Sequence, residues 1–344
     1  MLGLILKKDG YTMKHTKKLA FLLTVLLLVT SLTACGKTPK EKIKEASLNI
    51  SKATSVTQGI TAKFNMSSDA QDMESAMVTS ILNSMTIKAT AKTDVKKQLS
   101  DGVFTFSMNN VDYDFNFFVS PKELIVQSPI TQKYMKSEID QEATGKMDAA
   151  KTTELQGKLM DAMMTSIDDK NIATASEEIT LSNQEKLKAD KYTISLDTDQ
   201  GIKSLKAIMD LVYTDDYLKN LMIQNIMTES EALGQTITKE EATAKMDETR
   251  KTMDSSFEDM KKEVNLSGSS ISIFVADNYV RKMDWDLKMG METEGQKANM
   301  GILMNFEMYD INKEIKLETP ALTDENTQTS EEFMSELFGA LMGL

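Results

Sequence analysis

Apolar and polar residues alternate with a period of two along most of this chain, interrupted by stretches whose apolar residues recur every three or four positions. The first pattern marks strands with one buried face and the second marks amphipathic helices. The alternation is cleanest in the last third, where residues 270–276, 279–291 and 297–309 form a three-strand meander. Met283, Trp285, Leu287, Met289 and Met291 share one face of the middle strand. Met300, Ile302, Met304, Phe306 and Met308 share one face of the next, and the positions between are mostly Asp, Lys, Asn and Glu. Strict alternation implies an antiparallel sheet covered on one side only. Residues 311–317 are expected to end the sheet, with Pro320 ending the domain.

The first half repeats the theme. A strand at 56–66 carries Ile60, Ala62, Phe64 and Met66 on one face. Residues 69–83 form a loop or short helix inserted in a hairpin, and strands follow at 85–99 and 102–119. Phe104, Phe106 and Met108 share a face, as do Tyr113, Phe115 and Phe117 after the Asn109-Asn110 turn. Shorter extended pieces follow at 124–127, 132–139, 172–183 and 191–196. Helical spacing covers 40–53, 140–167, 200–227 and 238–264. The third of these breaks near Tyr213-Thr214-Asp215-Asp216, and the fourth opens with the capping box Thr238-Lys239-Glu240-Glu241. The fold expected is α+β: a large curved antiparallel sheet (a half-barrel) of about nine or ten strands, with roughly three or four helices on its concave face.

The N-terminus carries a different signal. Lys14, His15, Lys17 and Lys18 form a basic segment, and residues 19–32 are an apolar run of about 14, the length of a signal-peptide core rather than of a membrane span. Met13 reads as the natural start. Leu32-Thr33-Ala34-Cys35 resembles the lipobox of bacterial lipoproteins. That resemblance implies removal of residues 1–34 and acylation of Cys35, with 35–40 as a tether and anchoring to the outer face of the cell membrane. Two acyl chains suffice for stable anchoring.

Composition then narrows the function. The single His is His15 and the single Cys is Cys35, so the mature domain has neither imidazole nor free thiol. Triads built on His, imidazole or thiolate metal sites and disulfides are therefore excluded. No Gly-x-Gly and no Ser-x-x-Lys occurs, which removes phosphate loops and one acylation motif. Removing residues 1–34, with their five Lys and one Asp, takes the formal charge from −12 to −16. That balance argues against nucleic acid. No enzyme, catalytic residue, metal or cofactor is expected.

The candidate site is the apolar face itself, lined by Phe106, Phe117, Trp285, Leu287, Met289, Met291, Ile302, Met304, Phe306 and Met308. The chain has 26 Met, and Met side chains repack readily around guests of varied shape. The plainer reading of each is core beneath the helices. Met289, Met291, Met304 and Met308 as a copper site are better explained by alternation alone. Asp197-Thr198-Asp199 fails as a calcium loop and suits a helix N-cap. Asp284 and Asp286 are expected as a solvated outward pair. The apolar tail beyond a polar linker, with Phe333, Leu337, Phe338, Leu341 and Leu344, packs on its own domain, binds a partner or touches the membrane; the first is the commonest outcome.

Lipobox, short helix, open sheet with helices on one side and a closing strand into a Pro together resemble the LolA/LppX-like superfamily. Within it the chain is most similar to uncharacterised lipoproteins of Gram-positive bacteria. The carrying residues are Leu32-Thr33-Ala34-Cys35, the strand at 56–66, Lys133-Tyr134-Met135-Lys136, Tyr279-Val280-Arg281-Lys282-Met283-Asp284 and the tail 309–320. The resemblance covers residues 41–320, with helical inserts near 140–167 and 200–264 and a further segment at 321–344. It implies a lipid or other hydrophobic ligand between sheet and helices. The alternative is a non-catalytic scaffold or assembly factor for cell-envelope proteins.

Overall fold

The computed structural model describes residues 37–69, 73–109, 111–139, 149–232, 235–293 and 296–342. The chain divides into two compact units, Met1–Lys42 and Ile43–Leu344. The expected leader 1–34 and Cys35 lie outside the described residues. Helix α1 (Pro39–Ser51) starts in the first unit, capped by Thr38, and continues into the second. The Thr38 hydroxyl accepts the Glu41 N–H at 3.3 Å and its own N–H donates to the Glu41 carboxylate at 2.7 Å, a capping box with Pro at the first helical position.

The second unit is an α+β fold built on one 13-stranded open sheet. Its strands are β1 (Ser55–Ser68), β2 (Thr86–Asp94), β3 (Leu99–Met108), β4 (Val111–Val119), β5 (Glu123–Gln127), β6 (Tyr134–Glu138), β7 (Ile172–Thr180), β8 (Lys186–Leu196), β9 (Val264–Asn265), β10 (Ser269–Ala276), β11 (Tyr279–Thr293), β12 (Gln296–Tyr309) and β13 (Thr327–Gln328). The order is β13-β6-β5-β4-β3-β2-β1-β12-β11-β10-β8-β7, with β9 on β11, and only β13 with β6 is parallel. Two meanders are thus zipped together by β1 against β12, paired from Thr57 with Tyr309 to Ser68 with Ala298. Asp277 and Asn278, both at positive φ (53° and 63°), make the tight turn between β10 and β11.

The expected class is the one observed, an antiparallel sheet with helices against one face, but two details differ. Thirteen strands replace nine or ten, and two of the additional ones, β9 and β13, are two-residue pieces that periodicity cannot register. Residues 311–317 are not a strand. Asp310 and Asn312 take positive φ (51° and 59°) and turn the chain out of β12. The segment is then pinned crosswise: Asn312 N–H donates to Ser55 O at 2.9 Å and the Ser55 hydroxyl to Lys313 O at 2.6 Å.

The helices are α2 (Met73–Ser84), α3 (Ala149–Ser166), α4 (Thr198–Thr214), α5 (Asp216–Ala232), α6 (Lys239–Glu263) and α7 (Ser330–Met342). The break between α4 and α5 falls where the sequence places it. Asp215 ends one helix and caps the next, accepting the N–H groups of Tyr217 and Leu218 at 3.1 and 3.2 Å. The Thr238–Glu241 capping box forms as well. Ile43 and Ala46 of α1 and Met164 of α3 pack with Ile167 on Tyr192, Ile194, Ile271, Ile273 and Val280, the main core. The α4–α6 trio holds a separate core of Tyr213, Ile223, Ala242 and Met246.

Candidate ligand-binding face

The register turns the alternation of single strands into a surface. Tyr113, Phe106, Ile87, Ala62, Met304, Trp285, Ile271, Ile194 and Ile172 are successive cross-strand partners, one row running over nine strands from β4 to β7. At a spacing of about 4.8 Å per strand the row is roughly 38 Å long. A second row beside it runs Phe115, Phe104, Ala89, Ile60, Phe306, Met283, Ile273 and Tyr192. Directly opposed side chains point to one face, so both rows lie on the same side.

Cover over this face is uneven. Ile194 and Ile273 are sealed beneath α1 and α3. At the other end α7 folds back and sets Phe333 against Phe115, ring centroids 6.4 Å apart, while Phe115 meets Phe104 at 5.9 Å. Between these covers, Phe64, Ile87, Phe106, Leu287, Met289, Met300, Ile302 and Met304 are only half-buried, and Phe104 is 36% exposed. The indole of Trp285 touches the Phe306 ring at 5.8 Å. Its Nε1–H is buried with no hydrogen-bond partner among the described residues.

The structure brings most of the predicted lining together. Phe106, Met304 and Trp285 stand in one row, Leu287 pairs with Ile302, and Met289 with Met300. Phe117 and Met308 lie on the same face but further out, opposite Gly102 and Gln58. Met291 pairs with Ala298; its side chain lies outside the described residues, as do those of Phe338 and Leu341, and Leu344 entirely. The four Met residues weighed for copper do not converge. Met304 is four residues along the strand from the Met289–Met300 pair and Met308 eight, or roughly 13 and 27 Å. Asp197 caps α4, accepting Gln200 N–H at 2.7 Å.

The opposite face is polar and grooved along β1, β11 and β12, and carries a small apolar core of Ile179, Leu181, Ala189, Phe274 and Tyr309 towards β7 and β8. Asp284 accepts from Asn305 at 2.7 Å and pairs with Lys282, while Asp286 pairs with Lys288. Leu303, 52% exposed, departs from the expected polar alternation. A groove of about 550 Å³ runs past Lys63, Asn65, Asp286, Lys288 and Asn299. A second of about 550 Å³ lies over β3 and β4, walled by Glu318, Thr319 and Pro320. Neither was legible, because concavity on a polar face leaves no periodic signature. Where this face meets β7 and β8, a bulge between Phe274 and Val275 shifts the register and Arg281 is buried. Its guanidinium donates to Met308 O, Asp277 and Glu185. Burial, with Glu307 and Asp310 nearby, raises the Tyr309 hydroxyl above its ordinary range.

No described helix is long and apolar enough to cross a membrane. No family model and no curated protein matches this chain. Among solved structures it is similar to a beta-barrel-like protein of a domain of unknown function, DUF1849, from Brucella abortus, at 7% identity and a TM-score of 0.20, over 75% of this chain and 99% of that one. A likeness at that level carries no argument about function.

Proposed function

We propose that this protein is a lipid-anchored extracytoplasmic lipoprotein, of the LolA/LppX-like kind, that binds an apolar, acyl-type ligand on the face crossed by the Phe106–Trp285 row. One observation carries the reading. The row is continuous, yet among the described residues a middle stretch of Met, Phe, Ile and Leu is left half-buried. Contiguous apolar surface of this kind marks a binding surface more often than idle exterior. An acyl chain suits it, since it offers area and asks for few hydrogen bonds, and Met adapts to its length. The membrane link rests on Cys35.

Native mass spectrometry of the protein released gently from membranes tests the ligand. Lipid beyond the covalent anchor is expected, and loss of that lipid in Ile87→Glu with the fold intact. Protein that is always empty contradicts the reading. Incorporation of an alkynyl fatty acid, abolished in Cys35→Ser, tests the anchor.

The self-contained core of α4–α6 favours a second reading, a docking module for an envelope protein. It predicts a co-purifying protein lost on disrupting these helices, with no bound lipid.

A further inference from the structure

Beyond β12 the chain crosses the polar face, passes round the β6 edge and returns on the apolar one. It borders the groove over β3 and β4, where the buried Asp101 accepts the Glu318 N–H at 2.7 Å. Tyr134 then donates its N–H to Asn326 O at 2.8 Å, and β13 pairs with β6. Thr329 caps α7, which carries Phe333 onto Phe115 in the second apolar row. The strap is thus fixed at several points before the helix begins.

What holds α7 itself is slight. Phe333, 7% exposed, is the one buried side chain among those described in the helix, while Glu331, Glu332, Met334 and Ser335 are exposed. Glu336 clasps the β5–β6 loop and β13: its Oε2 accepts from the Thr131 hydroxyl at 3.2 Å and the Gln328 amide at 3.1 Å. Its Oε1 is buried with no donor among the described residues, a cost that release of the helix removes. Nor is the seal complete, because Phe104, which packs on Phe115, stays 36% exposed.

We propose that α7 is an autoinhibitory lid on the apolar face: Phe333 holds the Phe115–Phe104 end of the second row and gives way when an acyl chain lies there. The inference rests on the apolar-ligand reading and adds its regulation. An aromatic ring and an acyl chain compete for one surface, so affinity is lowered by the fraction of molecules in which the lid is shut. A helix of 13 residues is marginal on its own in water, so a displaced α7 loses order.

The test follows hydrogen exchange over residues 330–342 as palmitic acid is added to the full chain in detergent. Trp285 quenching by a brominated analogue gives the affinity. Saturating palmitic acid should speed exchange in α7 about tenfold or more and leave α6 unchanged. Phe333→Ala should tighten binding about fivefold, and Phe333→Leu, which keeps an apolar plug, should stay near wild type. Saturable binding with α7 exchange unchanged or slowed overturns the lid and leaves the apolar-ligand reading standing. Equal or weaker affinity in Phe333→Ala does the same. Absence of binding in wild type and Phe333→Ala alike overturns both, whereas binding seen only in Phe333→Ala supports the lid. Should Phe333→Ala fail to fold, exchange in the wild type still decides.

Discussion

The Trp285 indole and the Phe306 ring meet across β11 and β12 at 5.8 Å, inclined by 53°, and the indole N–H beside them is buried without a partner among the described residues. A donor in that position is a polar handle within an otherwise apolar face. Trp285→Phe removes it and keeps an aromatic ring. Loss of a buried unpaired donor offsets the lost volume, so stability in urea should change by no more than about 1 kcal/mol. A drop of several kcal/mol would mean that the N–H has a protein partner.

Gly102 and Gly59 both sit in strands, with opposite consequences. A Cβ on Gly102 would fall 2.1 Å from Thr90 O and 2.8 Å from the Phe117 ring, and the first of these is backbone that cannot swing aside. On Gly59 the nearest atoms are 3.9 Å away. Gly102→Ala should destabilise by about 1–3 kcal/mol, and Gly59→Ala should be neutral or slightly stabilising. Urea midpoints of the two variants check this.

Arg281 is buried and holds three acceptors in a fixed fork. Lysine cannot reproduce that geometry. Arg281→Lys should cost about 1–3 kcal/mol, because Glu185 and the Met308 carbonyl lose charge-assisted bonds. Thermal unfolding of the variant measures it; wild-type stability would show the bulge to be held by packing alone.

Asp215 joins two helices and carries a pH dependence. The Lys158 ammonium, together with the N–H groups of Leu218 and Tyr217, holds its carboxyl below the usual carboxylate range against the effect of burial. A folded value below the unfolded one stabilises fully above the ordinary carboxylate range. That stability is lost as pH falls through the depressed folded value. Asp215→Ala should therefore cost about 1–2 kcal/mol at neutral pH from the cap, and less as the solution is acidified. Denaturation of both proteins across acid pH shows whether the gap closes.

Much of the fold was legible because its signals are local. Alternation at 279–309 marked the strands, Thr238 and Glu241 a helix start, and Asp215 a helix break. The capping boxes at Thr38–Glu41 and Thr329–Glu332 were equally readable as Thr-x-x-Glu and were missed. The nine-strand row was not legible, since it depends on β1 pairing with β12, 230 or more residues away in sequence. Residues 311–317 misled because Ile315 and Leu317 alternate with Lys316 like a strand, while Asp310 and Asn312 had already turned the backbone. The Asp101 groove depends on the Glu318–Pro320 strap, a contact that no spacing announces.

Trp285 is the chain's single tryptophan, and it stands in the apolar row, so its emission reports on that face alone. The most direct measurement is its quenching by a brominated fatty acid added to the full chain in detergent. Saturable quenching is predicted, relieved by the unbrominated acid and lost in Ile87→Glu. Emission that stays constant, or falls only in linear proportion to quencher, would contradict an acyl ligand on this face.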